Sequence, residues 1–340
     1  MTQSVTQAST PASTPASKAV VFGGAGFVGS HLLARLAKES RYDRLYSADI
    51  TEPRFKVEGV TYLRCDLREP IAPDLCGEGP ADIFNLAAVH TTPGHEDWEY
   101  YWTNLLGATH VCRFATATGA DNIVFTSSIS VYGPCEQAKD EDSLLEPNSA
   151  YGRSKLLSEN VHRLWQAEQS ERRKLTIARP AVIYGKYERG NFTRLARLLA
   201  KRRFVYPGRK DTIKACGYVE DLVSSLLFMR QRNTGTATYN FCYPDRYDTE
   251  QICAAFCEVA GYKTPTLLAP SWFMMLGAFG FEVLNALGYR NTVNRPRIAK
   301  LLNSTNILPK RLVEAGFNYG FDLRTSLKDW RAASTAADFD

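Results

Sequence analysis

The run Lys18-Ala19-Val20-Val21-Phe22 leads straight into Gly23-Gly24-Ala25-Gly26-Phe27-Val28-Gly29 and on into Ser30-His31-Leu32-Leu33. Read as a buried strand, a glycine turn and a helix, this order restricts the chain to a small set of α/β architectures. Both Gly24-x-Gly26-x-x-Gly29 and Gly23-x-x-Gly26-x-x-Gly29 fit it. Glycine there permits a tight turn, close approach of a diphosphate and close packing of helix on strand, and the amide end of the helix faces the anion. A further strand, Arg44–Asp49, ends in an acid about twenty residues past the last glycine, the distance at which a carboxylate meets adenosine ribose hydroxyls. Asp49 repels a 2′-phosphate, so the expected cofactor is NAD rather than NADP. Gly23, Gly26, Phe27, Val28, Gly29 and Asp49 are its expected contacts in this part of the chain.

Beyond the turn, apolar runs alternate with helical stretches at the rhythm of a parallel sheet. Expected strands are 19–22, 44–49, 61–65, 83–87, 122–127 and 175–178, with helices over 30–38, 98–118 and 151–168. That is a doubly wound Rossmann sheet, in which ligands collect at the carboxyl ends of the strands. Asp49, Asp66-Leu67, Asn85-Leu86-Ala87-Ala88 and Ser127-Ser128 all fall at such ends. After Arg179-Pro180 the alternation weakens, and small strands are expected near 205–206 and 238–241. The organisation read from this is a disordered tail over 1–17, an NAD-binding domain with the catalytic residues over 18–180, a smaller C-terminal α/β substrate-binding cap, interleaved with the sheet, over 181–330, and a tail over 331–340.

Tyr151 and Lys155 are four residues apart, so a helix places phenol and ammonium on one face. A nearby lysine charge favours the phenolate, which predicts a tyrosine able to take a proton from an alcohol near neutral pH. Upstream lies the hydroxyl-rich run Thr126-Ser127-Ser128-Ile129-Ser130. Ser127 and Ser130 fit turn formers equally well.

A net charge of +5 is mild, and the basic clusters Arg172-Arg173-Lys174 and Lys201-Arg202-Arg203 are short. Without size or aromatic interleaving they do not predict a nucleic-acid footprint. Eight cysteines show no Cys-x-x-Cys pair and five histidines no ligand spacing, so no metal is expected and the thiols read as reduced packing residues of a cytoplasmic protein.

These motifs together, with Arg179-Pro180-x-x-x-Tyr184-Gly185 and Gly217-Tyr218-Val219-Glu220-Asp221, resemble the extended short-chain dehydrogenase/reductases of the NAD-dependent epimerase/dehydratase kind. The resemblance runs from about Lys18 to Trp330. It implies that Tyr151 is the base and acid, that Lys155 binds the nicotinamide ribose, and that Ser128 bonds the reacting sugar oxygen. It further implies that Asp66 and Leu67 meet adenine, that Ala87 and Ala88 line the diphosphate-ribose path, and that Asn104 supports the catalytic helix. Members that eliminate water carry Thr-Asp-Glu where this chain has Ser128-Ile129-Ser130, so hydride transfer with Tyr151 as proton carrier remains. An NAD-dependent 4-epimerase of a diphosphate-linked sugar, serving cell-surface polysaccharide synthesis, is the expected activity. An NAD(P)H-dependent reductase of a nucleotide-linked keto-sugar would use the same groups once, and a non-catalytic NAD-binding regulator is the alternative of another class.

The second half is similar to 4-epimerases of UDP-sugars and of undecaprenyl-diphosphate-linked N-acetylhexosamine. On that resemblance Asn191, Lys214 and either Arg295 or Arg297 contact the substrate. The apolar stretch from Trp272 to Leu287 is too short and interrupted to span a membrane, and is the expected peripheral contact at the inner face of the membrane. A homodimer through the helices at 98–118 and 151–168 is also implied.

Overall fold

The computed structural model describes residues 17–53, 55–91, 94–272, 274, 276, 301–335 and 339. Strand β1 (Lys18–Phe22) is buried along its whole length, as an inner parallel strand covered on both faces must be. It pairs in parallel with β2 (Arg44–Asp49) on one side and β4 (Asp82–Asn85) on the other. With β3 (Val60–Arg64), β5 (Asn122–Thr126), β7 (Lys174–Pro180) and β11 (Thr236–Phe241), the sheet has seven strands in the order β11-β7-β5-β4-β1-β2-β3. The order reverses between β1 and β4, and the crevice at such a switch point is where doubly wound sheets bind ligands.

Helix α1 (Phe27–Lys38) lays Leu32, Leu33 and Leu36 on the sheet. The expected helix at 98–118 is a composite: α2 (Asp97–Tyr100), a π turn over Tyr101–Leu106, and α3 (Gly107–Thr118). A single π turn of this kind widens the helix and is frequent at functional sites. Helix α4 (Ala150–Ala167) carries Tyr151 and Lys155. A 3₁₀ turn, Ile129–Tyr132, follows β5.

The sequence expectation differs from the structure in two places. The 238–241 strand, expected among the small strands of the cap, is the edge strand of the main sheet, paired with β7. The side-chain pattern of a strand this short does not say which sheet takes it. The tail expected over 331–340 begins inside the helix Leu323–Ala333, and Phe339 is fully buried against Phe256 and Trp330, an aromatic ring joining the second core. Residues 1–16 lie outside the described residues. Ser17 donates from its amide to Asp43 at 2.7 Å.

A second apolar core joins β8 (Val182–Tyr184), α5 (Asn191–Ala200), β10 (Cys216–Tyr218) and α7 (Thr249–Ala260). Outside the main sheet, β6 (Cys135–Lys139) pairs with β13 (Thr305–Ile307), so chain more than 160 residues downstream returns to the end of the Ser128 turn.

The glycine turn is as tight as its residues allow. A Cβ on Gly29 would stand 2.2 Å from the Gly23 carbonyl oxygen, whereas one on Gly26 would stand 3.1 Å from it. Gly29→Ala is therefore expected to cost roughly 2–3 kcal/mol, toward the upper end for overpacking, and Gly26→Ala clearly less. Urea midpoints of the two variants check this ordering.

Candidate active site

Helix α4 begins with Ser149 as its cap, the hydroxyl accepting from the Gly152 amide at 3.1 Å. A Cβ on Gly152 would lie 2.4 Å from the Ser130 carbonyl oxygen, so only glycine lets the helix start this close to the 3₁₀ turn. Ser128 caps that turn in the same way, accepting from the Ser130 amide at 3.1 Å. These two caps bring Tyr151 beside Ser128, whose hydroxyl donates to Ser130 Oγ at 3.1 Å. The Tyr100 ring lies 6.1 Å from the Tyr151 ring.

Lys155, one turn along α4, is buried with its ammonium 4.3 Å from the Phe125 ring centroid. Burial pulls it down to about 7, opposed by the Glu159 carboxylate. Burial also pushes the Tyr151 phenol up, against the neighbouring Ser128 side chain, which draws it down. This corrects the expected lowering by Lys155: in the protein alone desolvation sets the direction for Tyr151, and the lysine is itself drawn down to about 7 by burial.

Glu159 holds Arg179 in a bidentate pair at 2.9 and 2.7 Å, both side chains buried. Arg179 in turn donates to the Tyr132 hydroxyl at 2.7 Å, and Tyr132 donates to Asn240 at 2.9 Å. The catalytic helix, β7, the 3₁₀ turn and β11 are thus tied by one charged network. Asn104 works from the opposite side. Its side chain accepts from the Val89 amide at 2.9 Å and donates to the Val89 carbonyl at 3.1 Å and to the Ser154 hydroxyl at 2.9 Å. The loop after β4 is therefore pinned to α4 beside Tyr151.

The expected cofactor residues gather at the switch point. Gly23 has φ +79°, and a Cβ there would meet the Ala87 nitrogen at 2.6 Å, which fixes how closely the loop carrying Ala87 and Ala88 approaches. Gly26 caps α1 without any side-chain hydrogen bond, and Phe27 and Val28 open its first turn. Asp49 accepts from the Ala25 amide at 3.1 Å and from the Thr51 amide and hydroxyl at 3.0 Å each, joining the glycine loop to the end of β2. Asp66 is gripped by Arg68, whose hydrogen bonds hold its carboxyl low. Leu67 is buried, its carbonyl bonded to the His110 ring at 2.8 Å. A glycine cradle with no room for Cβ atoms, an uncapped helix start and an acid at the second strand end fit a dinucleotide such as NAD.

The expected substrate residues are less closely gathered. Asn191 is the exposed first residue of α5. Lys214 precedes β10 and donates to the Asn303 carbonyl at 2.6 Å. Burial brings it down to about 8, against the pull of Glu136. Arg295 and Arg297 lie outside the described residues. Sequence reasoning passed over Glu136, which takes hydrogen bonds from Arg209 and from the amide and hydroxyl of Ser304 at 3.0 and 2.9 Å. No local motif marks it, because its partners arrive from far along the chain. Glu159, in contrast, was findable as the acid one turn beyond Lys155.

The model of the NAD dependent epimerase/dehydratase family matches residues 19–242. The chain is 29% identical to the N-acetyl-alpha-D-glucosaminyl-diphospho-ditrans,octacis-undecaprenol 4-epimerase of Escherichia coli O157:H7, over 91% of this chain and 92% of that one. Among solved structures, MoeE5 in complex with UDP-glucuronic acid and NAD superposes with a TM-score of 0.73 at 22% identity, covering 93% of this chain and 99% of MoeE5. The UDP-N-acetylglucosamine 4-epimerase of Bacillus cereus gives 0.70 at 16% identity, covering 93% and 96%. At these identities the structures share the fold.

Lys155 titrates near 7 in the folded chain against an ordinary 10.5. The unfolded chain therefore binds the extra proton between those values, so the lysine's penalty is full below about 7 and relieved as pH rises toward 10.5. In nucleotide-free protein, Lys155→Met is expected to be more stable than wild type near pH 6, with the advantage shrinking toward pH 9.5. Urea midpoints across that range test it, and a pH-independent difference would contradict the burial described.

Proposed function

The chain belongs to the NAD dependent epimerase/dehydratase family, and on that premise we propose that it is an NAD-dependent 4-epimerase of a diphosphate-linked sugar, a UDP-sugar or a polyprenyl-diphosphate-linked N-acetylhexosamine. The observation that carries the reading is the placement of Tyr151 beside Ser128 at the start of α4, with buried Lys155 one turn along the same helix. Where members that eliminate water carry Thr-Asp-Glu, this chain has Ser128-Ile129-Ser130, which leaves hydride transfer with Tyr151 as the proton carrier.

Tyr151 takes the proton of the sugar C4 hydroxyl and gives it back after the 4-keto sugar has turned over. Ser128 bonds the oxygen throughout, which holds the reacting carbon in place while charge moves on and off it. The glycine loop, Asp49, Ala87, Ala88 and Lys155 would hold NAD, which when bound would supply reversible acceptance of the C4 hydride. Asp66 and Leu67 stand at the end of β3 as its adenine contacts, and Asn104 keeps α4 in register. Lys214 and Asn191 take the diphosphate and sugar; lysine offers charge there without the two-pronged geometry of arginine.

Two surfaces extend the proposal. Trp98, Trp102, Leu157 and Leu164 stand exposed on α2, the π turn and α4, supporting a homodimer through these helices. On the cap, β9 (Tyr206–Pro207) pairs with β12 (Leu268–Ala269), and Leu267, Leu268, Trp272 and Leu276 are exposed around this ribbon, shortly after Lys201, Arg202 and Arg203 in the case of β9. Among the described residues no helix is long and apolar enough to cross a membrane. An apolar, partly basic patch of this kind supports peripheral contact at the cytoplasmic face of a membrane, where a polyprenyl-linked sugar resides. The rest of the stretch to Leu287 lies outside the described residues.

Incubation with UDP-N-acetylglucosamine, UDP-glucose and a lipid-linked N-acetylhexosamine is expected to give the C4 epimer without added NADH. Product only with NADH would establish a reductase instead. Tyr151→Phe should lower kcat roughly 100- to 10,000-fold, and full turnover by that variant would remove the acid/base role and leave an NAD-binding protein of another kind. Efficient conversion of UDP-sugars with the lipid-linked substrate ignored would remove the membrane contact from the reading.

A further inference from the structure

Tyr187 has φ +72°, a left-handed conformation that an aromatic residue adopts only when its surroundings impose it. It lies on the loop after β8, and what surrounds it comes from elsewhere. Its ring centroid is 4.9 Å from that of Phe55, on the loop that follows Asp49. The Lys186 ammonium stands 5.1 Å from the same ring. The Lys186 carbonyl is bonded to His31 Nε2 at 3.0 Å, and His31 Nδ1 is bonded to Glu220 at 2.6 Å. Through these two bonds the His31 ring fastens the Tyr187 loop to α1 and α6 (Val219–Arg232). His31 also meets the Phe27 ring edge-on at 5.5 Å and the Tyr187 ring at 6.4 Å.

A row of rings, Phe27, His31, Tyr187 and Phe55, thus runs from the first residue of α1 to the loop beyond Asp49. It joins the two loops that flank the glycine turn. Among the described residues neither Phe55 nor Tyr187 belongs to any of the apolar cores, and both are half-buried. Core packing therefore does not account for a strained tyrosine held at this point. Phe55 follows Asp49 on one loop, and the far end of the row, Phe27, is itself an expected NAD contact at the start of α1.

We infer that the Phe55–Tyr187 pair is a clasp that retains NAD through successive turnovers, with Tyr187 preset by its backbone and His31 as the anchor. The inference rests on the epimerase reading and deepens it, because a reaction that returns its hydride gains from never releasing the cofactor, whereas a reductase must exchange it. The clasp acts on the dissociation rate and takes no part in moving the proton or the hydride.

The test loads the full chain with NAD, removes free nucleotide, and follows release against an excess of etheno-NAD by fluorescence. Phe55→Ala and Tyr187→Ala should each speed release roughly three- to tenfold, the range an aromatic pair supplies. The double variant should release no faster than the singles, and Tyr187→Phe, which keeps the ring, should stay near wild type. Tyr187→Gly relieves the backbone while deleting the ring, so it should melt no lower than wild type and still release faster. Wild-type release from either alanine variant or from Tyr187→Gly, or a double variant whose effect is the product of the singles, would overturn the clasp. Those outcomes leave product formation without NADH untouched, and a requirement for NADH would leave the release rates standing, so the two readings fail separately.

Discussion

Helix α4 starts against a backbone carbonyl with no space for a side chain between them. The Gly152–Ser130 approach sets the distance from the catalytic helix to the end of β5, and with it the placement of Tyr151 beside Ser128. Everything else around the site holds that approach in place. The caps Ser149 and Ser128 consume the hydrogen-bonding groups that close contact would otherwise strand. Asn104 closes the flank facing the cofactor loop, and Glu159–Arg179 closes the flank facing β7 and β11.

The same arrangement explains why burial dominates the charges. Lys155 lies on Phe125 with Glu159 a turn away, and Glu159 is committed to Arg179, so the lysine gains less from that carboxylate than its proximity suggests. Its ammonium is maintained by an aromatic face and a shared acid in a dry setting. Such a group responds strongly to any further charge placed beside it, since a low dielectric magnifies each new interaction.

Much of this was legible in the chain. The glycine turn, Asp49 and the spacing of Tyr151 and Lys155 are local patterns, and local patterns are what a sequence displays directly. Six strands of the main sheet could be read because buried parallel strands are short apolar runs between helices. The seventh could not be assigned to its sheet, since nothing in Thr236–Phe241 says whether its neighbour is β7 or a cap strand. Glu136 depends on Ser304 and Arg209, and the Phe125 platform under Lys155 depends on how β5 and α4 face each other. Those are pairings across the fold, invisible to spacing. The direction of the Tyr151 shift failed for the same reason: a charge four residues away is visible in sequence, while the depth at which both groups sit is not.

The π turn over Tyr101–Leu106 has a consequence for how this site can vary. One residue added to a helix advances everything beyond it by about 100°. The stretch before the turn, with Trp98 on its outer surface, and the stretch after it, with Val111, Phe114 and Ala115 on the sheet, therefore keep separate phases around a common axis. Asn104 sits in the seam between them. Removing a single residue there would restore a regular helix and at the same stroke turn Asn104 away from Val89 and Ser154, or turn the outer tryptophans away from their present face. The seam acts as a phase adjuster, allowing the outward surface and the catalytic support to have been set independently on one continuous rod.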